Sequence, residues 1–319
     1  MKSIASAPGK IILFGEHFVV HGTKAILAAI DKRVTVTSTF TENKTIKVNS
    51  ELGTIEVPIS SSHEEAWRVV FRPFVYLANE MITSNQDVNG LEITINSDIP
   101  IGVGLGSSSA CCVAAAASIS GLFKELSSEE ILKISIEAEK TIFPDTSGAD
   151  CTVCTYGGMI EYPSIEKIDN TFDLNLLIAN SMIPHNTKNS VEKVNKFKEN
   201  DEERFSQLCD LENGLIDEVI TAMKNNDTTT LGLKMSENQK YLEEIQVSNN
   251  TLRDMISSLN EISLGSKITG AGDGGCIIAL VNDENMDKVS ALLGKDKEYF
   301  SAKIDTKGMT REHMEWEDW

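Results

Sequence analysis

Pro100-Ile101-Gly102-Val103-Gly104-Leu105-Gly106-Ser107-Ser108-Ser109-Ala110 is the stretch on which the reading of this chain turns. It follows a β-rich run at 91–95 and opens a small-residue segment at 107–122 with the composition of a helix. A strand-to-helix loop of this kind aims unpaired backbone N–H groups and the positive end of a helix dipole at an anion. Glycines at 102, 104 and 106 let backbone approach a phosphate where a Cβ would clash. A hydroxyl just inside the helix can ligate magnesium, as in other phosphate loops. An ordinary turn is the plainer reading, but three glycines followed by three serines favour phosphate. No Gly-Lys-Ser/Thr follows, so the loop is not a Walker A, and the spacing is not that of a dinucleotide fingerprint.

Three further segments carry chemistry. Lys267-Ile268-Thr269-Gly270-Ala271-Gly272-Asp273-Gly274-Gly275-Cys276 has four glycines in the six positions 270–275, too long and too glycine-dense for a tight hairpin. It suits a loop closing over a ligand. In Ala7-Pro8-Gly9-Lys10-Ile11-Ile12-Leu13-Phe14-Gly15-Glu16-His17, Lys10 opens an otherwise apolar strand. A lysine there is costly unless it snorkels, is paired or faces a cleft. Glu16 and His17 follow at the strand's end. In Glu139-Lys140-Thr141-Ile142-Phe143-Pro144-Asp145-Thr146-Ser147-Gly148-Ala149-Asp150, two carboxylates flank a turn.

Composition narrows the partners. The 319 residues carry a net charge of −19, with 41% hydrophobic and 24% charged residues. Such a chain can bury a core without disulfide or metal staples, and its acidity makes duplex nucleic acid and anionic membranes poor partners. No apolar run reaches the roughly 18 residues of a membrane span, and the first ten residues lack a signal-peptide apolar region. A cytoplasmic soluble protein is expected. Cys151 and Cys154 form a C-x-x-C, but no second Cys/His pair stands at zinc spacing, so all six cysteines are read as free thiols, buried or half-buried.

The pattern predicts strands at 10–14 and 33–39, a hairpin at 45–49 and 54–59, and a helix over 64–83, with Trp67, Val70, Phe71, Phe74 and Leu77 on its apolar face and a kink or break at Pro73. Helices at 107–122 and 128–139 follow. The second half reads as a strand at 174–179, helices at 190–200, 204–225, 228–241 and 252–259, and strands at 276–281 and 299–304. The change from mixed β/α to helix-rich α+β sets a boundary between residues 163 and 180, taken as domains 1–168 and 169–319.

Together and in this order, the four segments resemble the GHMP kinases, from residue 4 to about residue 282. Gly15-Glu16-His17-Phe18-Val19-Val20-His21-Gly22 is similar to the branch of that superfamily that phosphorylates mevalonate. The resemblance implies an α+β, two-domain fold, with a mixed β/α N-terminal domain like one in a small-subunit ribosomal protein. The active site would lie in the cleft between the domains. It implies ATP and mevalonate as substrates, Mg²⁺ as cofactor and a homodimer. Asp150 would accept or orient the hydroxyl proton, with Lys10 pairing to it and stabilising charge. Ser108 and Glu139 would hold Mg²⁺. Ser97, Pro100, Gly102, Val103, Gly104, Leu105, Gly106, Ser107 and Ser108 would surround the nucleotide. Glu16, His17, Thr187, Gly270 and Ala271 would line the acceptor side. The chain departs from the family pattern at Phe143-Pro144-Asp145-Thr146 and at His185-Asn186, which directs the question of acceptor specificity to those segments. A kinase of the same superfamily acting on phosphomevalonate or a sugar is the nearest alternative, and a non-catalytic sensor a more distant one. Cys151, beside Asp150, is expected to make the protein sensitive to thiol reagents.

Overall fold

The computed structural model describes residues 2–83, 88–168, 174–184, 187–294 and 298–315. Strands β1 (Lys2–Phe14) and β2 (Ala25–Phe40) pair antiparallel along nearly their whole length, from Lys2 opposite Thr39 to Phe14 opposite Ile26. The register shifts between Pro8 and Gly9, where proline supplies no ladder N–H. Strands β3 (Thr45–Ser50), β4 (Gly53–Pro58), β5 (Leu91–Ser97), β6 (Met159–Tyr162) and β7 (Glu166–Ile168) extend this sheet. A last strand, β12 (Thr310–Glu315), returns to it, giving the order β12-β1-β2-β5-β3-β4 with β6 on β2 and β7 on β6.

One detail of this sheet positions the site. β12 covers β1 only from Lys2 to Ser6. Beyond it the edge of β1 is open, and there the N–H of Lys10 donates to Leu105 O of the glycine loop at 2.9 Å. The loop thus docks on the strand that carries the lysine.

The helices α1 (Arg72–Thr83), α2 (Ser107–Gly121), α3 (Ser128–Lys140) and α4 (Ala149–Tyr156) accompany the first sheet. α2 packs against β1 and β2 and is buried almost all round, which its alanine, serine and cysteine side chains allow. α1 is shorter than the sequence predicts. Its helix begins at Arg72, so Pro73 lies in the first turn, where its missing N–H costs nothing. Before it the chain makes short 3₁₀ turns at His63–Glu65 and Val69–Phe71, and Trp67, placed on the apolar face by periodicity, is 74% exposed.

The second sheet has the order β11-β8-β10-β9, from β8 (Leu176–Asn180), β9 (Ser263–Ile268), β10 (Cys276–Val281) and β11 (Tyr299–Ala302). Every residue of β10 is buried, as its unbroken apolar run requires. Helices α5 (Thr187–Asn200), α6 (Glu202–Lys224), α7 (Thr228–Glu244), α8 (Asn250–Leu259) and α9 (Met286–Leu293) complete this part. The architecture is α+β, a mixed sheet with its helices followed by a helix-rich α+β part. α4, α9, β6, β7, β9 and β12 are elements the sequence pattern did not reveal.

Candidate active site

The end of β1, the N-termini of α2 and α4, and the glycine loop between β9 and β10 meet at one place. Lys10, only 6% exposed, reaches Asp150 with Nζ 3.1 Å from Oδ2. Asp150 stands in the first turn of α4, where the helix dipole favours a negative charge. Its side chain is 35% exposed, so the pair is open to a ligand from one side.

The loop at 100–106 is built by alternation. Val103 and Leu105 turn into the core, while Gly102 is exposed and Gly104 and Gly106 are half-buried. Gly106 precedes α2 with a left-handed φ of 71° and supplies no capping side chain, so the first N–H groups of the helix are left for a ligand. A Cβ on Gly106 would stand 2.6 Å from Lys10 Cγ. The second glycine loop faces the first, since a Cβ on Gly270 would come 4.0 Å from Gly104 O. Thr269 anchors that loop to β1, its hydroxyl accepting from Ile12 N at 3.0 Å and donating to Ile12 O at 2.9 Å.

The carboxylate of Glu139 is 3% exposed at the residue level and, among the described residues, receives hydroxyls alone: Ser109 on Oε1 and Thr146 on Oε2, the latter at 2.5 Å. The half-buried Ser108 keeps its hydroxyl free of partners among the described residues. A buried carboxylate with no cationic partner among those residues, beside a free hydroxyl, is a hard oxygen donor set that fits Mg²⁺. The open glycine backbone fits polyphosphate.

Other expected site residues are placed less simply. Ser97 spends its hydroxyl on the backbone of Ile99, accepting from N and donating to O, both at 3.1 Å. Glu16 is fully buried and paired with Lys267 instead of lining open space. His17, at a φ of 62°, places Nε2 2.8 Å from Ala271 O. A carbonyl only accepts, so Nε2 carries the proton and Nδ1 is left as an acceptor in the neutral ring. Burial lowers the His17 pKa, which favours that neutral form. Thr187 is exposed at the start of α5, and α5 is tied to the second loop by Lys193 and Asp273 at 2.5 Å. The turn at 143–146 joins α3 to α4, with Phe143 55% exposed. His185 and Asn186 lie outside the described residues.

This arrangement has counterparts along the whole chain. The profile for the GHMP kinases N terminal domain matches residues 68–158, and that for the GHMP kinases C terminal region matches residues 219–295. A mevalonate kinase of Thermococcus sibiricus is 34% identical over 310 residues, covering 92% of this chain and 93% of that protein. The chain belongs to the GHMP kinases. A mevalonate kinase of Aeropyrum pernix is 30% identical over 97% of this GHMP kinase and 98% of its own length. The crystal structure of Methanococcus jannaschii mevalonate kinase matches with a TM-score of 0.84 and 29% identity, covering 95% of this chain and 98% of the other.

Sequence reasoning missed two buried charged residues packed beneath this candidate site. Lys267 sits inside a strand as Lys10 does, and the same argument about a lysine among apolar neighbours would have found it. Glu212 lies on the apolar face of α6 with Leu208, Leu215, Ile216 and Val219, a charge on a buried stripe. Cys151 corrects an expectation: it is fully buried, and burial holds its thiol well above the ordinary range. A protonated, inaccessible thiol is a poor nucleophile, so reagent sensitivity does not follow. The other cysteines are free, and each is buried or half-buried. Among the described residues no helix is long and apolar enough to cross a membrane.

Proposed function

We propose that this GHMP kinase transfers the γ-phosphoryl group of ATP to the 5-hydroxyl of (R)-mevalonate, giving 5-phosphomevalonate for isoprenoid biosynthesis. The observation that carries the reading is the Lys10–Asp150 contact between the two facing glycine loops, in a chain whose full-length relatives are mevalonate kinases. Asp150 takes or orients the hydroxyl proton as the oxygen attacks the γ-phosphorus and the bond to the bridging oxygen breaks. Lys10 pairs with Asp150 and stabilises charge on the reacting oxygen. The N–H groups at 102–108 hold the phosphates. Ser108 and Glu139 would hold Mg²⁺, which neutralises phosphate charge when bound. His17 offers Nδ1 to an acceptor hydroxyl, and the loop at 270–275 closes over the substrate. Such catalysis is mainly positioning and charge stabilisation, and it needs no covalent intermediate.

The test is ADP release from ATP·Mg²⁺ by the purified chain with mevalonate, phosphomevalonate, galactose or homoserine, with Asp150→Asn as control. Turnover that requires mevalonate and collapses in the variant supports the reading; turnover with a different acceptor alone overturns the substrate assignment. A homodimer and a cytoplasmic location are further parts of the proposal, the first open to light scattering.

A further inference from the structure

Beneath the candidate site, three ionisable side chains are sealed from solvent where the two sheets meet. Glu16, from the turn after β1, is ion-paired with Lys267 of β9, and both side chains are fully buried. Lys267 also donates to Ile268 O at 2.8 Å. Glu212 of α6, likewise buried, accepts from Gly15 N at 2.9 Å and from Asn238 Nδ2 of α7 at 2.6 Å. Glu16 Oε2 has no hydrogen-bond partner among the described residues. The cluster therefore holds two carboxylates and one ammonium, with the charge of Lys10 of β1 felt by Glu16 and that of Glu212 felt by Tyr241 of α7, whose hydroxyl donates to Glu237. Two charged carboxylates sharing one cation in a dry site cost far more than one carboxylate and one acid. Burial raises Glu16 and lowers Lys267, so every member of the cluster resists its charged form; burial first, and then the charge on Glu16, push Glu212 up to about 7.

The consequence concerns His17. Gly15 N is held by Glu212, and two residues later His17 takes up its left-handed conformation against Ala271 O. We propose that Glu212 is a positioning residue for the acceptor: the cluster of Glu16, Lys267 and Glu212 retains one proton, and in that state Glu212 fixes the turn at 15–17 so that His17 meets the second glycine loop. This rests on the reading of His17 as an acceptor-facing group. Loss of the proton sets Glu212 against Glu16 and loosens the turn.

Two variants and two sets of magnetic-resonance signals test it in the intact protein. Glu212→Gln keeps an acceptor for Gly15 N but cannot ionise; Glu212→Leu leaves that N–H unpaired. In the unaltered protein KM for mevalonate rises about threefold or more from about pH 6 to about pH 8.5, without a matching rise in KM for ATP. The rise is absent in Glu212→Gln. Glu212→Leu, folded by near-ultraviolet circular dichroism, raises KM for mevalonate about tenfold at every pH and shifts the ring signals of His17. A Glu212→Gln profile that follows the unaltered protein overturns the inference, as does Glu212→Leu with unchanged KM and unchanged His17 signals. The carboxyl ¹³C signal of Glu212, identified by its loss in Glu212→Gln, needs no acceptor and titrates near 7. A midpoint near the ordinary glutamate value overturns the inference. If no protein turns over mevalonate, the proposed function fails, while the carboxyl midpoint and the His17 signals still decide the role of Glu212.

Discussion

The ammonium of Lys10 stands 3.1 Å from Asp150 Oδ2, and the stem of the same lysine fills the space where a side chain on Gly106 would begin. One side chain thus links the carboxylate at the start of α4 to the loop at the start of α2. Its own N–H, bonded to Leu105 O, fixes the spacing from the strand side. The glycine loop and the carboxylate of Asp150 are therefore not independent modules. A change in one is felt by the other through Lys10.

Gly106→Ala follows from this coupling. The added Cβ meets Lys10 Cγ at 2.6 Å, and that stem cannot swing away because Lys10 is buried. The left-handed φ of 71° adds about 1 kcal/mol or more of strain. The variant is expected to melt lower and to lose turnover by displacing Lys10 from Asp150. Thermal denaturation and kcat measured together check this; an unchanged kcat in a destabilised variant would disconnect the loop from the pair.

Asp150→Asn and Lys10→Met are each expected to lower kcat by about 10²–10³-fold, the scale of a lost electrostatic group at a reacting centre. Because the two act as a unit, the double variant is expected to fall little further than either single one. Multiplicative losses in steady-state rates would show that they act separately.

Glu139→Gln keeps one acceptor oxygen for Ser109 or Thr146, the other hydroxyl turning to accept from the amide NH₂, but removes the charge that would meet a cation. The expected outcome is a rise of about tenfold or more in the Mg²⁺ concentration giving half-maximal rate, with the fold intact. Rate against free Mg²⁺ at fixed ATP measures it. An unshifted midpoint would remove Glu139 from the proposed metal site.

The cysteines give a chemical check on packing. Cys112, Cys151 and Cys154 are buried with thiols pushed well above their ordinary range, whereas Cys209 is half-exposed. Brief iodoacetamide treatment of the native protein at pH 8 is expected to label Cys209 first, leave Cys151 unlabelled and spare activity. Peptide mass spectrometry reads the order, and early labelling of Cys151 would contradict the packing of α4.

Much of this site was legible because its chemistry is written in short contiguous segments. The strand, the glycine loop and α2 follow one another between residues 91 and 121, so periodicity and glycine placement suffice there. α4 was hidden because Thr152, Val153 and Thr155 are β-branched and read poorly as helix. β9 was hidden because Ser263-Leu264-Gly265-Ser266 lacks strand formers; it is tertiary packing against α7 that makes it a strand, with Gly265 and Gly232 at backbone contact. The start of α1 was misjudged because Trp67 and Val70 fit a helical stripe that the fold leaves in solvent. The cluster of Glu16, Lys267 and Glu212 joins three distant segments, and no local pattern encodes such a meeting.

Glu212 also makes a prediction about stability that is independent of turnover. Its carboxyl binds a proton more tightly in the folded chain, at about 7, than in an unfolded one, near 4.5. Folding therefore takes up a proton between those values, and the contribution of this group to stability is greatest below about pH 4.5. It declines as the pH rises to about 7 and is level above that, a loss of about 3 kcal/mol at most. Glu212→Gln cannot ionise and escapes that loss. Its stability relative to the unaltered protein is expected to improve progressively from pH 5 to about pH 7 and to level off by pH 8, as measured by urea denaturation at matched ionic strength. Parallel stability curves for the two proteins would mean that Glu212 is ionised in the folded state throughout, with its charge compensated by Lys267 and the proton absent from the cluster.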